Sequence, residues 1–200
     1  MINSLDIYDF LKTKNLLKNS PKYWWPNAGK FVIVVSAILA QNTTWKNVEK
    51  SLKNLDGFLE FEKFLTFDEE SLKKMINPSG FYNQKAPRLL QLTRNIEERY
   101  KTFENFKNSV SREWLLAQKG IGEESADAIL CYCCFRDEIV VDSYTKRLLK
   151  SFNLEFKTYK DYKYFLEKDI KKKFDKTLHF KIFAEFHGMI VEYNKLKSFK

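Results

Sequence analysis

Apolar and polar positions along the chain follow a helical period in most stretches, with short polar clusters between them. The pattern predicts helices over residues 4–17, 27–40, 44–55, 59–65, 68–75, 83–100, 104–109, 111–118, 123–134, 143–152, 158–173 and 177–196. Caps support several of these. Asn27, after Pro26 and before a long apolar stretch, is a candidate N-cap. Asp68 can cap a helix opened by Glu69 and Glu70, whose charges suit its positive end. Asn77-Pro78-Ser79-Gly80 is a break, and Ser143 can cap the helix that begins Tyr144-Thr145-Lys146. The β-branched run Glu138-Ile139-Val140-Val141 reads as an extended connector. It puts Asp142 at or next to the start of the following helix. The expected class is all-α, with no internal repeat.

Composition narrows the picture. A chain of 200 residues fits one compact unit or two small lobes. Its 6 glycines and 4 prolines fall below the usual combined level of about 12%. With 16% aromatic residues a packed core is expected rather than disorder. The longest apolar run, Phe31 to Ala40, is too short to span a bilayer, and the N-terminus lacks a basic-then-apolar leader pattern. A cytoplasmic protein without membrane partners is the expectation. Cys131, Cys133 and Cys134 are too few and too close for a disulfide framework or a four-thiolate site, and read as small packing residues. Lys and Arg outnumber Asp and Glu by 35 to 26, a formal charge of +9 that favours a polyanionic partner. The excess is uneven, because residues 101–150 carry 8 charges of each sign whereas 151–200 carry 12 Lys against 7 acidic residues.

The most informative segment is Trp114 to Ile129, WLLAQKGIGEESADAI. Two helices meet at Gly120-Ile121-Gly122. The glycines allow a sharp turn and close approach of another surface, and Ile121 can plug the gap between the helices. The exposed amides there suit an anion such as phosphate. This stretch resembles the helix–hairpin–helix of the DNA glycosylase superfamily that includes endonuclease III. Three more segments agree in order and spacing: Gln41-Asn42-Thr43-Thr44-Trp45-Lys46-Asn47-Val48, Gly80-Phe81-Tyr82-Asn83-Gln84-Lys85-Ala86, and Val140-Val141-Asp142-Ser143-Tyr144-Thr145-Lys146-Arg147. The resemblance covers roughly residues 25–195. It implies an all-α, two-lobed fold with the active-site cleft between the lobes. A central lobe would span 28–135, and 1–27 with 136–200 would form the second.

N-glycosidic cleavage passes through an oxocarbenium-like sugar that a fixed carboxylate can stabilise, after the nucleotide has been flipped out of the stack. Asp142, following an apolar run, is the candidate catalytic carboxylate; its bland role is a helix cap, and the two can coexist. Family members that also cleave the strand use a lysine in the first turn after the hairpin. Glu124 stands there, and a carboxylate forms no Schiff base. This departure implies a monofunctional enzyme that leaves an abasic site. Residues 151–200 contain no cysteine, so the iron–sulfur loop of endonuclease III is not expected, and no other cofactor or metal is implied. Hairpins of the family often hold a monovalent cation on backbone carbonyls.

Tyr23-Trp24-Trp25-Pro26 and Trp45 supply aromatic faces suited to a flipped, cationic alkylated purine. The motifs WWPNA, AQNTTW and FHGMIVEYNK are similar to the endonuclease III-type 3-methyladenine glycosylases of epsilonproteobacteria. That branch implies a base between Trp24 and Trp45, walled by Trp25 and Pro26, with Lys195 nearby. It also carries a modified lysine where this chain has Met189, so no such group can form here. His187 reads as a packed, hydrogen-bonded histidine. The DNA grip would come from Gly120 and Gly122, with Ser125 and Lys119 on phosphates. Gln41 or Asn42 would fill the gap left by the flipped nucleotide. The leading expectation is a monomeric glycosylase acting on alkylated purines in double-stranded DNA, 3-methyladenine first, in a bacterial cytoplasm at the nucleoid. A glycosylase with lyase activity on other bases and a non-catalytic DNA-binding module are the alternatives.

Overall fold

The computed structural model describes residues 2–197, with side chains to residue 196, and contains no strand among them. Twelve α-helices follow in order: α1 Ser4–Lys12, α2 Val32–Leu39, α3 Trp45–Asn54, α4 Phe61–Phe64, α5 Glu69–Ile76, α6 Tyr82–Tyr100, α7 Phe103–Ser109, α8 Arg112–Leu116, α9 Glu123–Ala128, α10 Ser143–Ser151, α11 Tyr159–Lys173 and α12 His179–Lys197. They form two compact units, Gly29–Ile129, and Met1–Ala28 with Leu130–Lys200. The later crossing between the units falls at 129–130. Tyr132 explains this, since its ring and hydroxyl are satisfied by Trp24, Trp25, Ala184 and His187, all of the terminal unit.

In the unit Gly29–Ile129, α2 is apolar on all sides and every one of its residues is buried, as expected of a helix at the centre of a core. Helices α3, α6 and α9 pack on it. Phe31 meets Phe61, Phe64 and Phe103 edge-on, closing one end of this core. At the other end the buried Lys85 donates to the carbonyls of Leu39 (2.7 Å) and Ser79 (2.8 Å). It thereby ties the end of α2 to the Asn77-Pro78-Ser79 turn, while burial pushes its amine down to about 8. In the terminal unit α1, α10, α11 and α12 surround a core that includes Ile7, Leu11, Leu149, Leu166, Phe183 and Ile190.

Several expected boundaries move. Helix α1 stops at Lys12 rather than 17, and Asn15 beyond it is left-handed (φ 50°). Helix α2 starts at Val32, not 27. Asn27 (φ 63°) and Gly29 (φ 82°) turn the chain, so Asn27 is not its cap. After α9 the helical path widens to a π-helical turn over Ile129–Cys133 rather than continuing as α-helix to 134. Asp68 does cap α5, accepting from the Ser71 amide at 2.8 Å. Asp142, not Ser143, caps α10.

Helices α8 and α9 are held together by a paired charge. Arg112 Nε and Nη2 donate to Asp127 Oδ1 (2.7 Å) and Oδ2 (3.3 Å), and the Asp127 side chain is fully buried. The hydrogen bonds that Arg112 donates to Asp127 hold its guanidinium firmly protonated against the opposing effect of burial. Breaking such a pair strands a carboxylate in the core. Arg112→Ala is expected to destabilise the protein by about 3 kcal/mol in urea unfolding.

Candidate functional site

The connector that feeds α10 buries Ile139, Val140 and Val141, and the chain then turns into the helix at Asp142 (φ −102°, ψ −174°). The extended cap conformation aims the carboxylate back over the first turn. Oδ1 accepts from the Thr145 amide (2.7 Å) and hydroxyl (2.9 Å). Oδ2 lies 3.3 Å from His187 Nε2 on α12, close but outside good hydrogen-bond alignment. The Asp142 side chain is only 14% exposed. Burial works to raise its pKa, but His187 and the two Thr145 donors outweigh it and hold the carboxyl below the ordinary carboxylate value. The site therefore keeps a fixed anion at neutral pH.

Trp24 belongs to the same unit. Its backbone is left-handed (φ 64°), and its indole Nε1 donates to Glu192 Oε1 at 2.9 Å. Lys195 donates to the same oxygen at 2.8 Å, and its ammonium lies 5.9 Å from the indole. The ring packs against Trp25, Tyr132 and the edge of His187. Gly188 on α12 makes room for it, since a Cβ there would come within 2.5 Å of Trp24 Cγ. Trp25 is buried and Pro26 exposed. The unit thus brings Trp24, Trp25, Asp142 and Lys195 into one packed arrangement through His187, Tyr132 and Glu192. Trp45 lies in the other unit, at the start of α3, partly exposed, with its indole donating to Glu49 at 3.0 Å.

Glu192 is the residue that sequence reasoning missed. A half-buried indole needs an acceptor, but the sequence holds no cue to which carboxylate provides it. His187 is buried and bonded to Tyr132, in keeping with a packed histidine. Met189 is buried in the core.

The hairpin divides its labour unequally between the two glycines. Gly120 is left-handed (φ 86°), whereas Gly122 is extended (φ −95°, ψ 179°) and forms the N-cap of α9. The sharp turn thus requires glycine at 120 alone. At 122 the absent side chain leaves open space beside the amides. Ile121 is buried as a plug. Gln41 donates to the Gly120 carbonyl (2.9 Å) and the Ser125 hydroxyl (3.0 Å), so its amide and Ser125 are part of the hairpin's own bonding. Asn42 (φ 53°), Lys119 and Glu124 are exposed. Cys131 and Cys133 are buried and Cys134 is partly so, all as free thiols. Among the described residues no three His, Cys, Asp or Glu side chains are gathered in a way that could hold a metal ion. No helix there is long and apolar enough to cross a membrane.

Comparison with known proteins places this geometry. The family model for the HhH-GPD superfamily base excision DNA repair protein matches residues 35–173. A protein of Methanocaldococcus jannaschii carrying the provisional name DNA repair glycosylase is 40% identical over 181 residues, 86% of this chain and 80% of its own length. Endonuclease III of Thermotoga maritima is 31% identical over 124 residues, 59% of this chain and 54% of its own. Among solved structures, H. pylori 3-methyladenine DNA glycosylase bound to 1,N6-ethenoadenine superposes with a TM-score of 0.92 and 43% identity, over 98% of this chain and 99% of that one. A non-covalent endonuclease III–DNA complex shares the fold, with a TM-score of 0.73 and 16% identity over 96% of this chain and 86% of that one.

Two substitutions probe these placements. Gly188→Ala forces the root of the Trp24 side chain to move. It is expected to cost about 1–3 kcal/mol in thermal unfolding and to shift the tryptophan emission. Gly120→Ala strains a left-handed residue and is expected to destabilise by about 1–2 kcal/mol. Gly122→Ala meets nothing within 4 Å and should cost only the poorer N-cap, a smaller loss than Gly120→Ala.

Proposed function

Because the chain belongs to the HhH-GPD superfamily of base excision DNA repair proteins, we propose that it is a monofunctional DNA glycosylase releasing alkylated purines, 3-methyladenine first, from double-stranded DNA. The observation that carries this reading is the largely buried, ionised Asp142 carboxylate, in one packed unit with the Trp24 indole. The 43% identity to a 3-methyladenine glycosylase over nearly the whole chain supports the substrate class.

The chemistry needs little from the protein beyond position and charge. A purine alkylated on a ring nitrogen is cationic in DNA, so the bond from C1′ to the base breaks with its electron pair leaving on the base, which departs neutral. No acid is needed to assist departure. The sugar becomes cationic, and the Asp142 carboxylate, whose Oδ2 lies beside the His187 imidazole, stabilises that charge and orients the attacking water. Water adds at C1′ and loses a proton, leaving an abasic site. Trp24 and Trp45 are proposed to stack on the flipped base, Trp25 and Pro26 to wall it, and Lys195 to stand beside it.

Glu124 at the position where lyase members carry lysine supports hydrolysis without strand cleavage. The hairpin amides at 120 and 122, with Lys119, are proposed to hold the DNA backbone, whereas the Ser125 hydroxyl is buried and bonded to Gln41. Asn42 is a better candidate than Gln41 for the gap left by the flipped nucleotide, because it is exposed while Gln41 is bonded to the hairpin. No resident cofactor is part of this mechanism. The enzyme would act as a monomer in the cytoplasm, at the nucleoid.

Asp142→Asn retains a good helix cap and is expected to fold. It should lower the release of free bases from methylated duplex DNA by about 100-fold or more, read by chromatography, with DNA affinity retained. Borohydride should trap no covalent adduct with the wild type; an adduct would return the lyase alternative.

A further inference from the structure

The His187 imidazole has a polar neighbour on each nitrogen, and the two together determine where its proton must lie. Nδ1 is 2.7 Å from the Tyr132 hydroxyl, and Nε2 is 3.3 Å from Asp142 Oδ2. The Tyr132 hydroxyl also reaches the Ala184 carbonyl, at 3.2 Å, but has a single proton to give. If that proton goes to the nearer partner, Nδ1, the neutral ring carries its own hydrogen on Nε2. If it goes to Ala184, Nδ1 must donate to the hydroxyl. A neutral ring would then turn a bare lone pair on Nε2 toward a carboxylate, which is repulsive unless Nε2 is protonated as well. Both tolerable arrangements place an N–H on Nε2, facing Oδ2. The ring is otherwise enclosed, with Trp24 edge-on at 5.2 Å and His187 almost wholly buried. That buried nitrogen has no aligned hydrogen-bond partner, and Asp142 Oδ2 is the polar atom nearest to alignment with it at 3.3 Å.

We propose that His187 is a positioning residue for Asp142, its Nε2–H holding the Oδ2 edge of the carboxylate while the Tyr132 hydroxyl keeps the proton on that nitrogen. The inference deepens the glycosylase reading and rests on Asp142 as its catalytic carboxylate. Thr145 fixes Oδ1 from within α10, and His187 fixes Oδ2 from α12, so the two oxygens are held from separate helices. The 3.3 Å separation is of the kind that tightens when substrate charge develops. The titratable side chains set around Asp142 are His187 on α12 and Tyr132 on the π-turn, with Cys131 beside Tyr132. Burial, reinforced by Cys131 and Asp142, keeps the Tyr132 hydroxyl protonated. His187 then supplies the one positive or donor influence from outside α10 that Asp142 receives among these.

The test compares single-turnover release of bases from methylated duplex DNA against pH in five variants, beside dissociation constants for the same DNA. His187→Leu removes the donor and is expected to slow release about 10- to 100-fold, leave DNA affinity unchanged, and move the acid limb of the rate profile to higher pH. The direction follows because a buried carboxylate without its donor protonates more readily. His187→Gln can present its amide N–H to the same oxygen and is expected to recover most of the rate and the original limb. Tyr132→Phe frees the tautomer and should fall between them. A merely packing histidine would lower the melting temperature without moving the limb, and Gln would then fare no better than Leu. The proposal is overturned if His187→Leu keeps the wild-type limb, or if His187→Gln folds yet fails to restore it. Should Leu not fold, His187→Gln and His187→Asn decide: a wild-type limb for Gln with a shifted limb for Asn, whose shorter amide cannot reach, supports the donor at Nε2, and any other pair of profiles overturns it. Asp142→Asn separates the layers. Wild-type release from that variant would remove Asp142 from catalysis, whatever His187 does.

Discussion

A carboxylate kept ionised in a mostly buried position is the constraint around which the terminal unit is arranged. Burying a charge is costly unless it is bonded and paired. Asp142 meets that demand with the first-turn amide and hydroxyl of Thr145, the positive end of α10, and the imidazole of His187. Each donor must arrive from a different direction. The extended 138–141 connector buries its apolar side chains and so delivers the aspartate in cap geometry, while α12 must lie where its histidine can reach Oδ2. The packing of α10 against α12, with Asn194 donating to the Tyr144 carbonyl at 3.2 Å, serves that one anion.

The same helix also governs an aromatic ring. His187, Gly188, Glu192 and Lys195 all meet Trp24, the first by its ring edge, the second by leaving room, and the last two through an indole–carboxylate–ammonium chain. Trp24 sits in a left-handed backbone conformation that costs on the order of 1–3 kcal/mol for a bulky residue. Such strain survives only where the surroundings over-determine the geometry. Here the indole hydrogen bond, the glycine gap and the Tyr132 and Trp25 faces supply that excess of restraint. A ring held this way cannot drift when a flat ligand approaches, which suits a stacking surface better than a loosely packed tryptophan would.

What could be read from the sequence was local. The helical class, the Asp68 cap and the Gly-Ile-Gly turn rest on neighbours within a few residues, and the structure agrees with them. The start of α2 was misplaced because Asn27 has the composition of a cap but Asn27 and Gly29 both turn left-handed, deferring the helix to Val32. Residues 129–133 keep an apolar helical composition, so nothing in their pattern announces a wider π turn. Ser143 and Asp142 are both good caps by type, and only the path of the connector chooses between them. The partners of the site lie farthest from local reach. Glu192 for Trp24 and His187 for Asp142 are long-range pairings, made by the folding of α12 onto distant segments, and no spacing rule predicts them.

The net charge of +9 bears on a different property from the site. Many surface lysines are already matched on their own helices or close by, as Lys63 with Glu60, Lys73 with Glu69 and Glu70, Lys107 with Glu104, and Lys171 with Glu167. Exposed pairs of this kind contribute little to stability, and they blunt the local field. The remaining excess acts over a Debye length of about 8 Å at physiological salt, enough to draw the chain to a polyanion but too diffuse to distinguish one base from another. Discrimination needs contacts from which water is excluded, where geometry rather than ionic strength sets the energy. The Asp142–His187–Tyr132 chain and the braced Trp24 ring are contacts of that kind. Under the proposed function, attraction to DNA and choice of lesion would therefore be separate physical functions of this chain, carried by different residues and sensitive to different conditions.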